Sequence, residues 1–322
     1  QIQPIHTRND GNIEQVGVKI GTTVGEKLDD ESIKNTDLSK TQISEDKKQQ
    51  DLATTEEKKD RVGIILAPSL YRSMVYLKYL EELKRRGINV GLITGHELGA
   101  VIATLFAFGS TPEEIQWRFF RLGPKLEKKI PFSHEWRELI LKEFAEELNN
   151  KDIADAPIPL AIPVGSLSTR SFTFYRRGDV LNALENNLRL FHKENRNCCA
   201  AFQWGVFDRK IFLENKISPI IALEGISGDI EFRERPEEFI GIYGRAYGII
   251  KRQQNEVDIF VRIADKKTPL DNFTDNYKQM NYGPPIIEKV KLIRKAVTEF
   301  LERKKTELSG MIYDFTAPLV EI

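Results

Sequence analysis

Hydrophobic positions are scattered thinly over residues 1–60 and then gather into short apolar blocks and helical stripes. Residues 62–66 (Val-Gly-Ile-Ile-Leu) form a compact run of the kind a strand buried on both faces shows. Over residues 69–86, Met74, Leu77, Leu80 and Leu83 recur at three-residue steps, which predicts a helix stopped by Gly87. A second apolar run follows at residues 90–93. The chain then tightens at Thr94-Gly95 and enters a helix over residues 98–108, ended by Gly109. Thr111-Pro112-Glu113-Glu114 restarts a helix that reaches Leu122, and residues 125–150 read as one or two charged amphipathic helices carrying Phe132, Trp136 and Leu139. Strand, helix, strand and helix in this order predict a parallel α/β sheet with right-handed crossovers.

The second half alternates in the same way. A strand from Ile158 to a turn at Gly165-Ser166 is followed by an alternating strand over residues 171–175. A helix starts after Gly178 with Asp179 as its cap. Residues 219–223 are predicted as a strand, 237–251 as a helix with Phe239, Ile242, Tyr243, Ala246 and Ile250 on one face, and 257–263 as a strand. Residues 271–281 read as a loop before a long helix over 284–304.

Composition divides the chain. Residues 1–60 hold no Phe, Trp or Tyr and are rich in charged and amide side chains, so they cannot bury enough apolar surface to offset chain entropy and are expected to be a disordered arm. Residues 61–309 form the α/β domain and 310–322 a C-terminal tail. Of the 322 residues 40% are hydrophobic, enough for a sizeable core. Lys plus Arg and Asp plus Glu both total 48, so no charge excess argues for a nucleic-acid partner or for an anionic membrane surface. No apolar run approaches the roughly 18 residues of a membrane-spanning helix. Cys198 and Cys199 are adjacent and cannot staple distant segments, and no metal-ligand spacing or cofactor motif is visible. The chain starts at Gln1, which is compatible with a removed signal peptide and export, whether periplasmic, secreted or envelope-associated; a trimmed chain would look the same.

The chemistry centres on Gly95-His96-Glu97-Leu98-Gly99, where a strand turns into a helix. Hydrolases place a serine nucleophile at the centre of such an elbow, between glycines that permit an unusual dihedral and close helix–strand packing. Here the centre is Glu97. Gly95, Gly99 and Ala100, the helix after them and the Gly109-to-Glu114 helix start resemble the nucleophile-elbow region of the patatin-like phospholipases. The Gly178-Asp179 helix start resembles that family as well. The resemblance covers residues 62–304 and implies a three-layer α/β fold with a mostly parallel central sheet. It also implies a glycine-rich oxyanion loop after the first strand and a Ser-Asp dyad. At the loop this chain has Pro68, Ser69, Leu70 and Ser73 in place of glycines, with Arg72 on the family's basic position. Pro68 has no N–H and Leu70 brings a side chain into space glycine leaves open, so the oxyanion donors are expected to be lost. Asp208 is the one aspartate between Asp179 and the 219–223 strand, and is either the dyad aspartate or an ordinary turn residue.

Glu97 is expected chiefly to cap its helix and to pair with Arg72 across the cleft. A general base or carboxylate nucleophile is the less favoured role. His96 adjoins it but should point elsewhere, and Ser69 and Ser73 are expected to be a cap and a packing residue rather than substitute nucleophiles. The resemblance therefore implies a pseudoenzyme without cofactor or metal, binding a lipid, a fatty acyl chain or a protein partner. The alternative is a lipid acyl hydrolase (phospholipase A or esterase) with displaced catalytic residues.

Overall fold

A computed structural model of the protein describes residues 61–190, 197–226, 230–234, 236–263, 268–280, 283–308 and 319–322. The expected N-terminal arm and most of the expected tail lie outside these residues.

The chain opens with β1 (Arg61–Leu66), a short 3-10 turn at Leu70–Met74, α1 (Val75–Arg85) and β2 (Asn89–Gly95). It continues through α2 (Leu98–Ala107), α3 (Pro112–Leu126), α4 (His134–Leu148), β3 (Leu160–Ser166), β4 (Ser171–Tyr175) and α5 (Val180–Asn187). Next come β5 (Cys198–Ala200), α6 (Lys210–Glu214), β6 (Ile220–Glu224), α7 (Pro236–Gln253) and β7 (Ile259–Arg262). The described chain ends with α8 (Phe273–Gln279), α9 (Gly283–Leu308) and β8 (Val320–Glu321).

The strands form one sheet in the order β4-β3-β2-β1-β6-β7-β8, with β5 paired to β3. All pairings from β3 across to β8 are parallel, while β4 and β5 run antiparallel to β3. Helices cover both sides, so the molecule is a mixed α/β protein with a mostly parallel central sheet. The strands that read as unbroken apolar runs, β1, β2 and β6, occupy the middle, where both faces are buried. Val62, Ile64, Ile93, Ile220 and Ile221 are fully buried there.

Several elements differ from expectation. The helix predicted from residue 69 begins as a 3-10 turn and becomes α-helical only at Val75, because Leu70 takes φ 46°, outside the right-handed helical region. The predicted 271–281 loop contains α8, whose start is capped by the Asn272 side chain accepting from the Asp275 amide at 3.0 Å. β3 runs through Gly165-Ser166 instead of turning there, since Gly165 and Ser166 pair with Phe172 and Ser171 on β4 and with Cys199 and Cys198 on β5. Within the expected tail, Val320 and Glu321 add an edge strand beside β7.

The connections after β1 and β2 both emerge at the C-terminal ends of adjacent parallel strands. Open α/β sheets build their sites there, because loops from neighbouring strands converge.

Candidate active site at a carboxylate elbow

The turn from β2 into α2 is made by one residue in a rare conformation. Glu97 has φ 55° and ψ −127°, a backbone state that L side chains seldom adopt and that costs on the order of 1–3 kcal/mol. Surrounding bonds hold it in place. The His96 amide donates to the Leu66 carbonyl at 2.9 Å, and the Ala100 amide returns to the Glu97 carbonyl at 3.0 Å. The Glu97 amide donates to Asn187 Oδ1 at 2.8 Å, while Asn187 Nδ2 donates to the Pro163 carbonyl at 2.6 Å. The glycines serve close approach alone: a Cβ on Gly95 would lie 2.4 Å from the Gly99 carbonyl oxygen, and one on Gly99 would lie 3.1 Å from Leu66 Cβ. The unusual dihedral expected of Gly95 belongs to Glu97 instead.

The Glu97 side chain is fully buried and its carboxylate is held from two directions. Oε2 accepts the Ser69 amide at 3.2 Å and the Leu70 amide at 2.9 Å. Oε1 accepts the Tyr243 hydroxyl at 2.6 Å. Two backbone N–H groups converging on one oxygen are the geometry an oxyanion hole requires. The Ser69 and Leu70 amides, at the positions where glycines were expected, converge on this side chain. Pro68 lacks an N–H, yet the two residues after it keep theirs, and Leu70 takes φ 46°, a left-handed turn that glycine favours. The donors are occupied by a side chain of the same protein.

Burial pushes the Glu97 carboxyl up to about 7, against the lowering effect of the Tyr243 hydroxyl and the Leu70 and Ser69 amides. Burial first, and then the charge of Glu97, push the Tyr243 hydroxyl well above the ordinary phenol range. Tyr243 lies on α7 among aromatic rings, with Phe232 and Phe202 centroids 5.1 and 5.6 Å from its own. Phe239 stacks on Phe232 at 5.2 Å, and Phe132 meets both Phe239 and Phe202. All of these rings are buried, so the space on the Tyr243 side of the carboxylate is filled by aromatic carbon.

Neither expected role of the Glu97 side chain is seen: it makes no capping hydrogen bond to α2, its oxygens being taken by Ser69, Leu70 and Tyr243, and the expected Arg72–Glu97 pair is replaced by a different arrangement. Arg72 is buried and donates to the Gly225 carbonyl at 2.5 Å and to the Thr268 carbonyl at 2.6 Å, tying the first turn to the segments after β6 and before α8. The Ser69 hydroxyl points away from the carboxylate, donating to Tyr76 Oη at 2.8 Å and sharing a bond with Ser73 Oγ at 3.0 Å. Tyr76 donates in turn to the Ala67 carbonyl at 2.7 Å. Both serines thus belong to a closed polar cluster under the loop.

His96 is fully buried, and its Nε2 lies 2.9 Å from the Val206 carbonyl, so that nitrogen carries the proton. Burial lowers its pKa to about 4. Asp208 is half-exposed and accepts the Lys210 amide at 2.8 Å, a local turn before α6. Glu97, Ser69 and Leu70 are thus brought together, while His96 and Asp208 face other partners. Tyr243 and Asn187 complete the site and were not singled out for it. Tyr243 looked like one more apolar position on a helical stripe. Among the described residues no group of three or more His, Cys, Asp or Glu side chains is placed to hold a metal ion. No described helix is long and apolar enough to cross a membrane.

No protein-family model and no curated protein matches the chain. Among solved structures it is similar to full-length ExoU of the Pseudomonas aeruginosa type III secretion system, in complex with SpcU. That similarity has a TM-score of 0.37 and 12% identity, over 74% of this chain and 53% of that one. It is also similar to VipD from Legionella pneumophila, with a TM-score of 0.35 and 10% identity over 70% and 67% of the two chains. A third is human GIVD cytosolic phospholipase A2, in complex with a fluorophosphonate inhibitor, with a TM-score of 0.35 and 11% identity over 76% and 60%. The chain spans about half the length of ExoU.

Proposed function

We propose that this protein is a patatin-like domain that does not hydrolyse acyl esters, with Glu97 occupying its oxyanion donors from within. The observation that carries the reading is Glu97 Oε2 held at 3.2 and 2.9 Å by the Ser69 and Leu70 amides. Acyl transfer at an elbow needs a nucleophile below the substrate carbonyl and free N–H groups about 3 Å from the oxygen that becomes negative. Once ionised, above about pH 7, the Glu97 carboxylate oxygen resembles that oxyanion in charge and size. Glu97 therefore blocks the position that a substrate would have to take. It is poorly placed as a nucleophile, since moving to attack would mean leaving three hydrogen bonds within a packed aromatic shell. The domain then acts by binding, with a lipid or a protein as its partner.

The test is esterase and phospholipase A activity of the wild type, Glu97→Ala and Glu97→Ser on short- and long-chain substrates. Wild type and Glu97→Ala are expected to be equally silent. Wild-type activity that disappears in Glu97→Ala would overturn the reading and make Glu97 catalytic. Activity gained by Glu97→Ser would mean that the Ser69 and Leu70 amides still serve an oxyanion once the carboxylate is gone.

A further inference from the structure

Away from the elbow, the outer face of α3 leaves large aromatic surface in water. Trp117 is 59% exposed and Phe120 48% exposed. They stand one helical turn apart and stack on each other, with centroids 5.6 Å apart and planes 23° from parallel. Phe120 continues to Tyr277 on α8 at 5.5 Å, so the exposed rings are anchored on packed structure. Elsewhere in the described chain the large aromatics are mostly interior, which makes a paired Trp and Phe on one helix a feature to be explained.

On the C-terminal side of these rings the exposed charge is mostly basic. Arg121, Lys125, Lys128 and Lys129 are exposed along the C-terminal half of α3 and the turn after it. Arg121 reaches Glu143 only at 3.3 Å and keeps 59% of its side chain exposed. Lys278, beside Tyr277, is 68% exposed and 3.7 Å from Asp275. The acids nearby are largely engaged. Glu114 closes the capping box with Thr111 at the far end of the helix, and Glu127 accepts from Arg233 and Thr274. Glu113 remains exposed at the N-terminal end of the face.

We propose that this face of α3 is a docking surface for an anionic lipid bilayer. Trp117 and Phe120 would enter the interfacial region, and Arg121, Lys125, Lys128 and Lys129 would meet the headgroups. Tryptophan and other amphipathic rings favour the headgroup level, and flexible lysines reach charged headgroups while their stems lie over apolar surface. The cations are spread along a convex helix and do not converge on one point, which suits a diffuse anionic surface better than a single bound anion. The inference is independent of whether the elbow is silent.

The experiment is co-sedimentation of the full chain with phosphatidylcholine vesicles and with phosphatidylcholine/phosphatidylserine vesicles, at low and high salt. Wild type is compared with the Trp117→Ser/Phe120→Ser double variant and the Lys125→Glu/Lys128→Glu/Lys129→Glu triple variant. Thermal melting checks that each variant stays folded, as expected for exposed positions. Wild type should bind the serine-containing vesicles more tightly, lose affinity as salt rises, and shift its tryptophan emission to the blue. The lysine variant should lose at least about a hundredfold in affinity, at roughly fivefold per lysine near an anionic surface, and the aromatic variant at least about tenfold through the apolar surface it no longer buries. Absence of binding to serine-containing vesicles, or binding unchanged in both variants, would overturn the proposal. So would self-association of the wild type that the aromatic variant abolishes without any vesicle binding, since the face would then belong to a second copy of the chain.

Discussion

Glu97 is the residue whose ionisation should be visible from outside the molecule. Its carboxyl titrates near 4.5 in an unfolded chain and at about 7 when folded, because burial disfavours the charged form. Below about pH 4.5 it is protonated in both states. Between about 4.5 and 7 the unfolded chain has released the proton and the folded chain has not, so its contribution to stability falls as pH rises and levels off above about 7. Two and a half pH units at about 1.4 kcal/mol each make this roughly 3 kcal/mol. His96 acts in the opposite sense, its folded pKa of about 4 removing stability as pH falls below about 6.5. Comparing wild type with Glu97→Gln cancels the histidine contribution. The variant should gain stability relative to wild type as pH goes from about 4.5 to 7, read from urea midpoints across that range. Asn187 offers a second residue-scale test. Asn187→Ala would strip the buried Glu97 amide and the Pro163 carbonyl of their partners. The expected loss is about 2–4 kcal/mol, measured by chemical denaturation.

At the scale of elements, α3 and α8 show how packing overrides local propensity. Gly123 sits inside α3, where alanine would ordinarily be favoured by about 1 kcal/mol. A Cβ there would lie 1.9 Å from the Phe273 ring, so α8 packs against the bare backbone. Gly123→Ala should therefore destabilise by about 1–3 kcal/mol, opposite in sign to the helix-propensity expectation, as a lowered denaturation midpoint. The same contact explains why α8 was not apparent as a helix. Its sequence, Phe-Thr-Asp-Asn-Tyr-Lys-Gln, has two apolar anchors and no full stripe, and Phe273 earns its burial only by meeting Gly123 and Tyr71. The Asn272 cap was a readable signal, although the polar composition around it pointed to a loop. The 3-10 turn after β1 has a related cause. Leu70 at φ 46° cannot open a regular right-handed helix, and its turn aims the Ser69 and Leu70 amides at Glu97, 28 and 27 residues further along.

Across the whole molecule, the sheet is closed at one side by a strand of two residues. β8 pairs with β7 through the Ile322 amide to the Phe260 carbonyl at 2.9 Å and the Arg262 amide to the Ile322 carbonyl at 3.0 Å. Arg262 also reaches Glu321 at 2.5 Å. Truncation after Leu308 would expose the edge of β7, an apolar strand with unpaired amides, which invites pairing between copies. The truncated chain is expected to melt lower and to elute as larger species at high concentration, with size-exclusion chromatography as the check.

Several features of this protein were decided by sequence. Unbroken apolar runs placed β1, β2 and β6, because a strand buried on both faces has no polar side to show. Helical stripes placed α7 and α9, and Gly95, Glu97 and Gly99 marked the elbow. The tertiary structure decided what the elbow does with its carboxylate. Whether Leu70 could turn left-handed, where its amide would aim, and that Tyr243 and Asn187 would arrive from α7 and α5 all depend on contacts between residues far apart in the chain. Side-chain identity records chemistry, but a hydrogen bond needs a distance and a direction, and only the packed sheet with its helices supplies them.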